Sequence, residues 1–220
     1  MASYFSSSIG RKHILAFTGL ALCGFLVTHL AANLLIPFNP QAFNTYSYKL
    51  ITNPLIYVAE VGLVGLFLVH VALAFWLNFE NRAARPQRYV SKKNTGRGTT
   101  PSSATMVITG LVTLVFLVLH VMNIKFGAHY TVTYDGVEMR DLHRLVLEYF
   151  SSLPNVIWYV VAHVALALHT CHGFQSAFQS LGFNHPRYTA CVKALGKLYA
   201  VAIAGGFAFI AIWAYGRGGV

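Results

Sequence analysis

The sequence predicts an all-α integral membrane protein, a single domain over residues 1–220 folded as a bundle of five transmembrane helices with its amino terminus in the cytoplasm. Three observations predict it. Hydrophobic residues make up 56% of the chain and charged residues 10%, and the mean hydropathy of +0.56 lies beyond the range of ordinary soluble domains. Apolar windows at about 13–36, 54–79, 104–126, 154–179 and 194–215 each exceed the roughly 20 residues that cross a hydrocarbon core about 30 Å thick. Lipid cannot hydrogen-bond an open sheet edge, so segments of this kind span as helices.

The elements follow in chain order. Arg11 and Lys12 precede span one, and more apolar residues follow them than a cleavable signal carries. Pro37, Pro40, Pro54, Pro101 and Pro154 fall near span ends, where a missing N–H costs little. The 80–103 connection is basic and ends in Gly96, Gly98, Thr99, Thr100 and Pro101, the composition of an exposed turn. In "VEMRDLHRLVLEYF", within the 127–153 connection, Leu142, Leu145, Val146 and Tyr149 recur at helical spacing and predict an amphipathic helix on the membrane surface. No internal repeat is obvious.

Eleven of the sixteen Lys and Arg residues fall before span one, between spans two and three, or around the start of span five; the other side carries Lys49, Lys125, Arg140, Arg144 and Arg217. The positive-inside rule then places the amino terminus in the cytoplasm and the carboxyl terminus outside. The same rule accounts for the net charge of +10, and no soluble domain is left to bind nucleic acid. The basic 82–97 stretch suits lipid head groups or an acidic partner on the cytoplasmic face. Cys23, Cys171 and Cys191 make neither a disulfide framework nor a zinc pattern. Covalent haem attachment through Cys171-His172 is excluded because residue 168 is leucine.

Histidine depth is the informative quantity. His70 lies sixteen residues after Pro54, His120 sixteen after Ala104, His169 fifteen after Pro154, and His29 sixteen after His13. At 1.5 Å per residue each is roughly 24 Å into its own helix. Helix direction sorts them into an outer layer, His29 with His120, and an inner layer, His70 with His169, very roughly 18 Å apart. Two imidazoles facing each other across an apolar core are what a six-coordinate b-type haem requires. Gly173, Ala74 and Ala32, three or four residues from a candidate ligand, leave surface for a macrocycle. The alternatives for intramembrane histidines are hydrogen-bonded core residues, a proton relay or a transporter site. His163, six residues before His169 and about 120° around the helix, cannot join His169 on one iron. His172 is either a group supporting the haem or its carboxylates, or a packing residue.

The stretches "FLVTHLAANL", "FLVHVALAFW", "FLVLHVMNI" and "LALHTCHGFQSAFQSLG", with the opening "SSSIGRKHILAFTGL", resemble the five-helix, di-haem cytochrome b membrane anchor of succinate dehydrogenases and fumarate reductases. The similarity covers nearly the whole chain and includes the His-x-x-x-Gly-x-x-Ser pattern of His169, Gly173 and Ser176. It implies two b haems, with His70 and His169 on the cytoplasm-proximal iron and His29 and His120 on the distal one. Its implied partners are a flavoprotein with covalent FAD and an iron–sulfur subunit, both on the cytoplasmic face of a bacterial inner membrane, with quinone, menaquinone above all, reacting in the membrane part. The chain itself carries no dinucleotide fingerprint or cysteine cluster, so dicarboxylate chemistry belongs to a partner.

Further site expectations are these. Glu60, the acidic residue well inside a span, is expected as a buried carboxyl, either exchanging protons with a quinone or structural. Ser8, Arg11 and Lys12 are candidates for the propionates of the inner haem; His129, Tyr130, His143 and Arg144 are candidates near the outer one. The rival readings are the cytochrome b of another respiratory enzyme, such as a hydrogenase or formate dehydrogenase, and a haem-free proton-coupled transporter.

Overall fold

The computed structural model of the chain describes residues 7–84, 105–183 and 185–217. Most of the basic connection between spans two and three, from Arg85 through Arg97 to Pro101, lies outside the described residues. The elements are α1 (Ser8–Asn33), α2 (Pro40–Thr52), α3 (Leu55–Ala83), α4 (Met106–His120) continuing into a π-helical turn (Val121–Lys125), β1 (Thr131–Tyr134), β2 (Val137–Arg140), α5 (Leu142–Phe150), α6 (Leu153–Ser180) and α7 (Pro186–Tyr215). Five helices are long and apolar enough to cross a membrane: α1, α3, α4 with its π-turn, α6 and α7.

Local chemistry sets their boundaries. Ser7 caps α1, its hydroxyl accepting from the Gly10 N–H at 3.0 Å. Asn39 caps α2 in the same way through Ala42 N–H at 2.9 Å, with Pro40 in the first turn, where its fixed φ is favourable. The fifth span starts at Pro186, earlier than the apolar window at 194, so Arg187, Lys193 and Lys197 ride on α7 itself. Hydropathy marks only the lipid-buried part of a helix, and the capped polar turns before it are helical too.

The connections depart furthest from expectation. The chain is not purely helical: β1 and β2 form an antiparallel hairpin with Thr131 opposite Arg140 and Tyr134 opposite Val137. Its turn, Asp135-Gly136, has φ of 51° and 79°, the left-handed pair that a tight type I′ hairpin demands and that Asp-Gly supplies. The surface helix expected from Val137 therefore begins only at Leu142, after the strand. Leu145 and Val146 of the expected apolar stripe are buried beneath it.

Helix α6 is the centre of the bundle, packing against α1, α4 and α7, while α3 packs chiefly along α1. The order around the bundle is therefore α3, α1, α6, α4, which makes α3/α6 and α1/α4 the two diagonals. The α6–α7 seam is close because Ala162, Ala165, Ala200, Ala204 and Ala211 are buried along these two helices. The main apolar cluster joins Leu30, Ile36, Phe43, Val146, Phe150, Val156 and Tyr159 to Ile203 and Ile210, at the end of the bundle where α2, the hairpin and α5 form a cap.

Asn44 locks that cap. It is 0% exposed; its amide N–H donates to Asp141 at 2.9 Å and its carbonyl accepts from the His143 N–H at 3.0 Å, tying α2 to the first turn of α5. Burial pushes the neighbouring His143 imidazole below its ordinary value, against the opposing pull of Asp141 and of the Ile36 backbone. The unfolded cap therefore binds a proton more readily than the folded one. The cap is fully stable above the ordinary histidine range and loses stability as pH falls through about 6.5. Amide exchange of α2 and α5, corrected for intrinsic rate, is expected to accelerate from about pH 7 to about pH 5 in the natural chain and not in His143→Gln.

Candidate functional site

Each diagonal of the bundle carries one pair of histidines. His70 on α3 faces His169 on α6 with ring centres 6.5 Å apart, and His29 on α1 faces His120 on α4 with ring centres 6.0 Å apart. The depth argument paired them in this way. We call the His70–His169 tier proximal, since it lies toward the chain's amino-terminal end, and the His29–His120 tier distal, since it lies under the cap.

The proximal rings are held by two threonines that sequence reasoning missed. Thr18 Oγ1 on α1 lies 3.2 Å from His70 Nδ1, and Thr109 Oγ1 on α4 lies 3.5 Å from His169 Nδ1. Each hydroxyl has one proton and directs it back along its own helix, Thr18 to the Ile14 and Leu15 carbonyls at 2.9 and 3.1 Å, Thr109 to the Thr105 and Met106 carbonyls at 3.0 and 3.1 Å. The hydroxyl must then accept from the ring, which puts the imidazole proton on Nδ1 and leaves the Nε2 lone pair free.

Each threonine is followed by a glycine that makes room for the ring. A Cβ on Gly19 would come within 3.2 Å of His70 Cε1, and a Cβ on Gly110 within 3.2 Å of His169 Cε1. The arrangement exposes a repeat. Residues 18–29, TGLALCGFLVTH, and 109–120, TGLVTLVFLVLH, share Thr, Gly, Leu, Phe, Leu, Val and His at matching positions. Eleven residues are close to three helical turns, so each helix sets its threonine and its histidine on one face about 16 Å apart. In this way α1 and α4 each serve both tiers.

The distal tier is walled by aromatic rings. Phe25 stacks on His29 and Phe116 on His120, with centres 5.2 and 5.6 Å apart. His120 Nδ1 lies 3.1 Å from the Tyr159 hydroxyl; the Tyr159 ring packs edge-on against Tyr149 of α5 with centres 5.5 Å apart, and the Tyr149 hydroxyl accepts from the Asn123 amide at 3.3 Å. These hydroxyls and the Asn123 amide form a polar chain that joins His120 to α5. His163 is not beside His169 but in this distal wall, 4% exposed, stacked on Phe207 at 5.5 Å and edge-on to Phe116 and Tyr159.

The two pairs fit axial ligation. Two metal–imidazole bonds of about 2 Å, with about 1 Å from each donor nitrogen to its ring centre, separate the centres by about 6 Å. The observed 6.0 and 6.5 Å match, with Nε2 free on His70 and His169. With a metal porphyrin between the proximal rings, Thr18→Val and Thr109→Val, which keep the volume and remove the acceptor, are each expected to loosen its retention by about tenfold or more, read as haem loss to apomyoglobin, with the distal pair unaffected.

The remaining candidates are dispersed. Glu60 is not a buried carboxyl: its side chain is 41% exposed and ion-paired with Lys125 at the end of the π-turn, because the helix ends around it leave both groups at the bundle's edge. Arg11 is ion-paired with Glu80 of α3 and lies 4.9 Å over the Trp76 ring, so its charge is already engaged. Ser8 is exposed on the first turn of α1, as is Lys12 one turn later, and His172 is half-buried on α6. Of the cap candidates, Arg144 stacks over Tyr130 at 4.2 Å and His129 is exposed. No protein-family model, curated protein or solved structure matches the chain.

Proposed function

We propose that the chain is the di-haem cytochrome b anchor of a succinate:quinone oxidoreductase in a bacterial cytoplasmic membrane, carrying electrons between an iron–sulfur partner and quinone. One observation carries this reading: two diagonal histidine pairs with ring centres 6.0 and 6.5 Å apart, both proximal rings hydrogen-bonded through Nδ1 and so presenting Nε2. The specific enzyme rests on the sequence resemblance around these histidines.

His70 and His169 would hold one haem and His29 and His120 the other. When bound, each would supply a one-electron carrier. The protein's own contribution is orientation and exclusion of water. Thr18 and Thr109 fix the proximal imidazole tautomers, Tyr159 holds His120 through Nδ1, and the Phe25, Phe116 and Phe207 rings keep the distal tier dry. With the amino terminus cytoplasmic, the proximal tier faces the flavoprotein and iron–sulfur subunits. Glu60, paired with Lys125, is the acid–base candidate for menaquinone or another quinone on the distal side.

A reduced-minus-oxidised spectrum and a haem-to-protein ratio of the purified chain test the reading, together with mass identification of what co-purifies. The expected result is a b-type band, two haems per chain, and partners with covalent FAD and iron–sulfur clusters. Absence of a b-type band would leave the haem-free transporter, and a hydrogenase or formate dehydrogenase partner would reassign the complex.

A further inference from the structure

The helix that carries His120 ends abnormally. Straight after the histidine the backbone widens into a π-turn, Val121–Lys125, closed by the Phe126 N–H donating to the Val121 carbonyl at 3.2 Å. A π-turn is poorly packed by itself and persists where its surroundings determine it. Here Asn123 is held by Tyr149 and Lys125 by Glu60, and one further side chain gathers the carbonyls. Arg140, the last residue of β2, donates from Nη1 to the Lys125 carbonyl at 2.9 Å, and from Nη2 to the carbonyls of Ile124 at 3.1 Å, Ala128 at 3.0 Å and Gly127 at 3.4 Å. The Ile124 and Lys125 carbonyls are among those a helix end leaves unpaired, Gly127 and Ala128 belong to the returning chain, and one planar fork of donors gathers all four. Gly127 permits the close return of the chain: a Cβ there would lie 1.9 Å from the Asn123 carbonyl oxygen.

Arg140 is itself fixed from behind. The hairpin turn at Asp135-Gly136 sets its register, and the Asp141 N–H donates to the Tyr130 carbonyl at 2.8 Å. Asn44 and Asp141 join that strand end to α2 and α5. A second arm from the same cap reaches the ring, through Tyr149 and Tyr159 to His120. The proximal rings have no such dependence, since their threonines belong to spanning helices.

We propose that Arg140 and Gly127 are positioning residues: the hairpin clamps the π-turn and so sets the height and angle of His120, which makes the extramembrane cap a determinant of the distal centre alone. The statement about haem rests on the functional reading above, whereas the statement about the helix end does not.

The test uses the full-length chain in detergent with its co-purifying partners, as Arg140→Gln, Arg140→Lys and Gly127→Ala. Two readouts are taken: amide exchange over 121–128 and redox titration of the two haem signals. Arg140→Gln and Gly127→Ala are expected to speed exchange over 121–128 by about tenfold or more while Met106–Leu117 is unchanged. The distal haem signal is expected to shift or disappear with the proximal one intact. Arg140→Lys should not rescue, because one ammonium cannot span four carbonyls. Unchanged exchange in both Arg140→Gln and Gly127→Ala, parallel loss of both haem signals, or full rescue by lysine would each overturn the proposal. If the natural chain holds no haem, the functional reading fails and exchange alone decides the clamp.

Discussion

His169→Ala is expected to abolish one of two b-type haem signals and leave the other with its spectrum and potential nearly unchanged. On the proposed reading the ring supplies half of a ligand pair, and no other histidine stands in its place: His163 is six residues away and locked in the distal wall against Phe207, while His172 is offset by about 4.5 Å along α6 and about 60° around it. His70→Ala should give the same single loss, since the two rings form one site with centres 6.5 Å apart. The distal pair has its own walls and its own hydrogen-bond chain and should survive both substitutions. The measurement is a haem-to-protein ratio falling from two to one, with one component left in a redox titration. Loss of both haems from either variant would show that the tiers do not assemble independently. Quinone reduction driven from the partner subunits should fall to background in both variants.

Gly110→Val is expected to be the next most damaging change, and the contest of effects can be followed. Replacing glycine inside a helix removes backbone freedom from the unfolded chain, worth about 0.5–1 kcal/mol toward folding for alanine and less for β-branched valine. Against this, even the first added carbon would lie 3.2 Å from His169 Cε1, and valine adds two methyl groups beyond it. The ring cannot retreat, because moving it away from Thr109 would break the contact that fixes its proton on Nδ1. The chain should therefore fold and insert normally while the proximal haem is lost. Gly110→Ala should be milder, keeping the haem with a shifted potential. Gly19→Val, on the other side of the tier, should reproduce the effect at His70. An unchanged proximal signal in both valine variants would show that these glycines are packing residues only.

The spans were legible because twenty apolar residues in lipid admit one backbone solution. Pairing of the histidines was legible too, since depth and helix direction fix a tier without knowledge of lateral packing. Their partners were not. Thr18 and Thr109 read in sequence as hydroxyls satisfying their own helix backbones, which they also do, and only the packing of α1 on α3 and α4 on α6 brings them to Nδ1. The matching Thr-Gly-Leu and Phe-Leu-Val-x-His elements were visible in principle but lie 91 residues apart, between segments whose shared leucines and valines hide them. The hairpin was missed because the helical spacing at 142–149 was extended backwards over Val137–Arg140, although Asp135-Gly136 between β-branched runs is a turn signature. Glu60 was misjudged because hydropathy does not reveal a cation brought in from another helix end.

The paired motif on α1 and α4 also has a mechanical side. Because one stiff rod carries a hydroxyl for the lower ring and an imidazole for the upper, the two stations behave as rungs bolted to a single rail. Any sliding of that rail along the bilayer normal must displace both stations together by equal amounts. Independent adjustment of either is left to bending or fraying at the rod's tip.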